Sequence, residues 1–226
     1  GIPRFRFHAP RFKFMIILYG YNTINTLKVL MFLSETGLDY EFKPINIRAG
    51  EQHSAEFRAI NPAGKVPVIW DSDRHQMESN SILLSLAQKT GWGLMEGHSL
   101  NVQLIAWLFY QASTQGPYFG QIEYWSRLAK SPNSDALAQY SAIANRSIEY
   151  LNEQLNSQKY ICGDTYSIAD IALYPWLRIH KHLGLSIEHA ENLSRWCDCI
   201  STKEATQKAL TFFNDIPSQK WLLSDE

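Results

Sequence analysis

The sequence predicts an α/β domain of order β-α-β-α-β-β-α over residues 15–91, a linker over 92–98, and an all-helical domain over 99–226. Three observations predict it. Up to Gly91, short β-branched runs alternate with amphipathic stretches, so the hydrophobic period switches between about two and about 3.6 residues. After Gly97 the strand signals stop and long helical patterns fill the chain. Between them, Gly91-Trp92-Gly93 to Gly97 interrupts both periods, as a domain boundary does. With 226 residues, 45% of them hydrophobic, the chain has the material for two cores.

The elements follow in order. MIILYG is a short strand, and TLKVLMFLSETG is an apolar-rich helix closed by Gly37, a residue suited to the left-handed position after a helix. YEFKPINI is a second strand, parallel to the first because a crossover helix joins them. SAEFRAINP is a short helix stopped by Asn61-Pro62, VPVIWD and RHQME form a hairpin through Ser72-Asp73, and SNSILLSLAQKTG is a helix ending at Gly91. The second half has helical patterns over 99–129, 134–157, 167–183 and 189–213, with breakers at Ser131-Pro132-Asn133 and Gly163-Asp164. Pro117 is expected to bend or break the first of these. Tyr166-Ser167-Ile168-Ala169-Asp170-Ile171 reads as a capping box, Ser167 being the cap and Asp170 its reciprocal acid, with Tyr166 stapled to Ile171. Its role is structural, and losing Ser167 is expected to cost about 0.5 to 2 kcal/mol.

Composition narrows the partners. A formal net charge of -1 gives no field to recruit nucleic acid or an anionic membrane, and no apolar run reaches the ~18 to 20 residues of a spanning helix. The three cysteines, Cys162, Cys197 and Cys199, do not form a disulfide framework, which points to a reducing, cytoplasmic setting. Cys197 and Cys199 face about 200° apart on a helix, so they read as packed thiols and no metal is expected. Residues 1–14 carry four Arg or Lys and no acid and precede Met15; they read as a leader, an expression-derived arm or an import sequence, outside the fold.

The stretch GKVPVIWDSDRHQMESNSI, Gly64 to Ile82, carries the functional signal. Pro67 lacks the N–H of a central strand residue, so it marks an edge strand or a cis Val66-Pro67 bond. The second arrangement turns the Val66 peptide groups toward a guest. Glu78-Ser79 stands at a helix start, where free N–H groups and the positive dipole end attract a carboxylate while Glu78 pairs with an ammonium. Together these features suit a short extended peptide with a free amino acid head.

INPAGKVPVIW, MESNSILLSLAQKTG and YSIADI together resemble the glutathione transferase superfamily, in the same order and at similar spacing, from Met15 to the C-terminus. The resemblance implies a thioredoxin-like N-terminal domain, a helical C-terminal domain, glutathione as co-substrate, a small disulfide or electrophile as second substrate, and a homodimer. By position it implies that Val66 pairs with the cysteinyl backbone of glutathione. Glu78 and Ser79 hold the γ-glutamyl head, and Lys65, with Gln52 or His53, meets the glycine carboxylate.

The turn LYGYNTINTLKV after the first strand contains hydroxyl and amide donors but no cysteine, which excludes the protein-thiol mechanism of cysteine-bearing relatives. Thr23-Ile24-Asn25 resembles the Thr-Pro-Asn of the nu-class, which reduces disulfide bonds, and WLFYQASTQGPYFGQ resembles that class's first long helix. Thr23 and Asn25 are therefore the expected donors to the glutathione sulfur, with Tyr19 and Tyr21 as rivals. Ile24 replaces the proline, and Gln139 stands nearest the class's arginine, which weakens the case for a second bound glutathione. Trp107, Tyr110, Gln111, Tyr118, Phe119 and Tyr124 are the candidates for the second-substrate wall. Disulfide reduction leads conjugation, and the alternative is a glutathione-binding regulatory protein with little catalysis.

Overall fold

The computed structural model of the protein describes residues 15–216; the basic segment 1–14 and residues 217–226 lie outside them. The first half holds strands β1 (Ile16–Gly20), β2 (Tyr40–Pro44), β3 (Val68–Asp71) and β4 (His75–Met77) in one sheet of order β2-β1-β3-β4. β1 runs parallel to β2, with Ile16 opposite Tyr40, and antiparallel to β3, with Leu18 opposite Ile69. The mixed sheet follows from the connections: α1 (Ile24–Thr36) makes the crossover that parallel pairing needs, and a short turn joins β3 to β4. Helices α2 (Ala55–Ile60) and α3 (Ser79–Thr90) complete a thioredoxin-like arrangement. β2 is shorter than YEFKPINI suggests because Pro44 ends its ladder, after which Ile45 still donates to the Gly20 carbonyl.

α1 is buried along almost its whole length, since it lies between α3 and the helical half, packing on α7 (Ile168–Arg178) and α9 (Glu204–Asp215). That position accounts for the unbroken run Leu27 to Leu33, in which even Lys28 is 1% exposed. A residue buried on every side of a helix is no longer free to choose an apolar-only face.

The helical half departs from the sequence reading at three points, the simplest being α7, which ends at Arg178 where the sequence pattern runs to 183. The first long helix is not broken at Pro117: α4 (His98–Tyr110) passes through a π turn (Gln111–Gln115) into α5 (Gly116–Glu123), and Gln115 and Gly116 keep helical dihedrals. The proline falls in the first turn of α5, directly after the π turn, whose wider hydrogen-bond spacing accommodates a residue with no N–H. A second π turn (Tyr124–Leu128) and α6 (Ser134–Gln154) follow. The pattern over 189–213 is two helices, α8 (Glu191–Ser201) and α9, because Lys203 is extended between them.

The capping box is present at the start of α7. Asp170 accepts from the Ser167 backbone at 3.0 Å, the Ser167 hydroxyl at 3.3 Å, the Ile161 backbone at 2.9 Å and the Trp196 indole at 2.8 Å. Burial pushes its carboxyl up to about 6 against the downward pull of those bonds. Cys162, Cys197 and Cys199 are free thiols, and burial raises Cys162 and Cys197 to about 12, so neither is reactive near neutrality. Among the described residues no helix is long and apolar enough to cross a membrane, and no group of His, Cys, Asp and Glu has the arrangement of a metal site.

Candidate functional site

Two recesses open beside the start of α1. The larger, about 400 Å³, is lined by Lys65, Val66, Pro67, Glu78 and Ser79 from the sheet half, by Asn25 and Lys28 from α1, and by Gln111, Pro117 and Trp176 from the helical half. The other, about 370 Å³, is lined by Thr23, Ile24, Ile47, Gln52 and Glu123. Asn25, Lys65, Val66 and Trp176 line both, so the recesses share a wall. The Val66-Pro67 bond is cis, and Val66 faces both spaces.

Glu78 is the residue before α3, at φ 66° and ψ 109°, a left-handed conformation that costs a non-glycine residue about 1 to 3 kcal/mol. Its side chain makes no bond to the helix it precedes. The carboxylate is thereby left at the recess together with Ser79 and the first-turn N–H groups of α3, a pairing of negative side chain and positive helix end.

Behind Ser79 lies Lys28. Its ammonium donates to Gln111 Oε1 at 2.7 Å, Asn80 Oδ1 at 3.1 Å and Ser79 Oγ at 3.2 Å. Burial lowers its pKa to about 7, and nearby Glu78 opposes the shift. Gln111 sits in the first π turn, and Asn80 donates both to Gln111 Oε1 and to the Leu108 carbonyl, so this cluster ties α1, α3 and α4 together at the base of the recess.

Thr23 caps α1, its hydroxyl oxygen accepting from Thr26 N at 3.3 Å and lying 2.9 Å from Thr26 Oγ1. Thr26 Oγ1 in turn accepts from Tyr21 N at 3.4 Å. With Thr26 as donor to Thr23, the Thr23 hydrogen is free to point into the smaller recess. Asn25 is half-buried on the shared wall, and among the described residues its amide has no hydrogen-bond partner.

Some sequence-selected residues lie elsewhere. Tyr19 packs edge-on against His75 under the Lys43 ammonium, and buried Tyr21 lines neither recess. His53 turns to Gln52 and Arg58 outside both spaces, whereas Gln52 lines the smaller one. Of the six second-substrate candidates only Gln111 reaches a recess. Trp107 and Tyr110 pack on Tyr150, and Tyr110 bonds Ser147, because that side of α4 faces α6. Phe119 is fully buried beside Trp176, Tyr118 packs on Tyr140, and Tyr124 meets Trp125 edge-on at the surface. The aromatic side chain that lines both recesses is Trp176, from α7.

Comparison with known proteins decides the family. The model of the glutathione S-transferase N-terminal domain matches residues 15–88, and that of the C-terminal domain matches 117–204. The chain is 32% identical over 203 residues to the disulfide-bond oxidoreductase YfcG of Escherichia coli, covering 87% of this chain and 94% of that one. The chain belongs to the glutathione transferase family. A second Escherichia coli relative, the disulfide-bond oxidoreductase YghU, is 32% identical over 214 residues, 87% of this chain and 74% of that one. Among solved structures, a glutathione transferase family member from Pseudomonas fluorescens with two glutathione bound superposes with a TM-score of 0.81 at 30% identity, over 88% of this chain and 94% of that one. A Pseudomonas putida glutathione transferase with one glutathione disulfide bound per subunit gives 0.82 at 27% identity, over 93% and 95%.

For this glutathione transferase family member, sequence reasoning passed over Lys28, Asn61, Asn80, Glu123 and Trp176. Lys28 left a usable signal: it is the single charge inside TLKVLMFL, and a cation in an all-apolar helix needs a polar destination. Trp176 left none, since an aromatic residue at helical spacing reads equally well as core.

Proposed function

We propose that this protein binds glutathione across the two recesses and stabilises its thiolate for attack on a small disulfide. The observation that carries the reading is the placement of Thr23 and Asn25 at the positive end of α1, facing a space that shares Val66 and Lys65 with the Glu78-Ser79 recess. The γ-glutamyl ammonium pairs with Glu78, its carboxylate takes Ser79 and the α3 N–H groups, and the cysteinyl backbone lies along Val66. Lys65 and Gln52 meet the glycine end. The sulfur then falls beside Thr23 and Asn25.

A free thiol of pKa about 8.5 is only a few per cent ionised at pH 7. Lowering that pKa by about two units takes about 2.7 kcal/mol, which two donors and a helix N-terminus supply. The thiolate attacks one sulfur of the disulfide, the sulfur–sulfur bond breaks, and the departing thiolate takes a proton from water. A second glutathione resolves the mixed disulfide, leaving glutathione disulfide and a second reduced thiol. The disulfide-bond oxidoreductase relatives and the neighbour bound to glutathione disulfide support reduction over conjugation.

The test is glutathione-dependent reduction of a small model disulfide beside conjugation of an aromatic halide, with Thr23→Ala in parallel. Reduction in clear excess, lost in Thr23→Ala, is expected. Conjugation in excess with a silent Thr23→Ala overturns the assignment, and glutathione binding without turnover of either substrate favours a regulatory role. A solution mass twice that of the chain tests the homodimer proposed from the family resemblance.

A further inference from the structure

Glu78 accounts for the ligand's ammonium, and Ser79 with the α3 N–H groups for its carboxylate, which leaves the ammonium of Lys28 bonded to the helices around it but with no counter-charge in contact. It is 1% exposed and held by three neutral oxygens; among the described residues no carboxylate lies within ion-pair distance of it. A buried cation in that condition is desolvated but not neutralised. Its donation to Ser79 Oγ leaves the serine's own hydrogen to point into the recess, toward an anion.

We propose that Lys28 is the counter-charge of the γ-glutamyl carboxylate, acting through Ser79, and that occupation of the head site is coupled to proton uptake by this lysine. The proposal rests on the glutathione reading and adds a positioning residue to it. A carboxylate bonded to Ser79 sits one hydrogen bond away from the ammonium and favours its charged form. Glu78, the one charge that already favours that form, turns to the ligand's ammonium on binding. The other groups around Lys28 are fixed: Lys65 lies across the same recess, Gln111 and Trp176 are neutral, and the Lys203–Glu35 contact lies two turns along α1. Because free Lys28 titrates near neutrality, binding fills a half-vacant proton site in the physiological range.

The probe is S-methylglutathione, which has no thiol to ionise. Its binding is measured by calorimetry at pH 6 and pH 7.5, in buffers of different ionisation enthalpy. For a lysine titrating at about 7 and fully charged in the complex, wild type takes up at most about three-quarters of a proton per ligand at pH 7.5 and at most about one-tenth at pH 6. Between pH 6 and pH 8 its affinity falls by up to about tenfold as Lys28 loses its proton in the empty site. In Lys28→Met and Lys28→Arg the uptake falls to what the ligand's own amine contributes, and Lys28→Arg still binds. If Lys28→Met fails to fold, the arginine variant decides. Wild-type uptake equal to that of Lys28→Arg overturns the proposal and leaves the glutathione reading intact. No binding of S-methylglutathione by wild type at any pH overturns both.

Discussion

Two of the buried charged residues, Asp170 and Lys28, are both desolvated and end differently. Asp170 is 0% exposed and closed in by donors from Ile161, Ser167 and Trp196, so every bond it needs comes from the protein. Lys28 is 1% exposed and closed in by acceptors that carry no charge, on the wall of a recess. Burial moves each toward its neutral form, Asp170 up to about 6 and Lys28 down to about 7. The difference teaches how to separate a structural ion from a functional one: the first is satisfied within the fold, whereas the second has its counter-charge supplied from outside.

The strongest way to break this contrast is Asp170→Ala. It strands two backbone N–H groups and an indole N–H in the core, and we expect a loss of about 4 kcal/mol in denaturant unfolding, with glutathione affinity unchanged in the folded fraction. A loss under about 1 kcal/mol means that Asp170 is no clamp. Thr23→Ala tests the other end of the cleft: turnover is expected to fall about a hundredfold, while glutathione affinity changes by no more than a few-fold. Equal losses in both would make Thr23 a binding residue only. Glu78→Gln removes the partner of the ligand's ammonium, and about 2 kcal/mol, or roughly thirtyfold, is expected in the glutathione dissociation constant, with unfolding little affected.

The smallest effects, at most about 1.4 kcal/mol per pH unit each, are the pH slopes of stability, which have opposite signs in separate pH windows. Lys28 has a folded pKa near 7, below its ordinary value of 10.5, so between these limits the unfolded chain holds more protons and stability rises with pH. Asp170 has a folded pKa near 6, above its ordinary 3.8, so between these limits the folded chain holds more protons and stability falls as pH rises. Denaturation midpoints from pH 4 to pH 9 measure both slopes. Lys28→Met is expected to remove the upper one, and saturating S-methylglutathione to flatten it.

The order of elements in the first half was legible because strand and helix periods differ and glycines stand at the helix ends, as at Gly37 and Gly91. So was the capping box, a purely local device. The passage of a helix through Pro117 was not, because a π turn redistributes hydrogen bonds without any marker in composition. Nor was the break at Lys203, which has neither glycine nor proline beside it. The residues facing the recesses divide the same way. Val66, Glu78, Ser79, Thr23 and Asn25 belong to short contiguous motifs, whereas Lys28, Gln111 and Trp176 come from three helices that meet only in the folded chain. Trp107, Tyr110 and Phe119 carry the composition of a substrate wall, but helix rotation sends them to α6 and the core.

The most direct measurement is the pKa of glutathione's thiol when bound, followed by thiolate ultraviolet absorbance from pH 5 to pH 9 in wild type and Thr23→Ala. A bound value about two units below the free thiol's, returning most of the way in Thr23→Ala, is what the donors at the start of α1 require. A bound value equal to the free one in wild type would contradict the account, because the cleft would then hold glutathione without activating it.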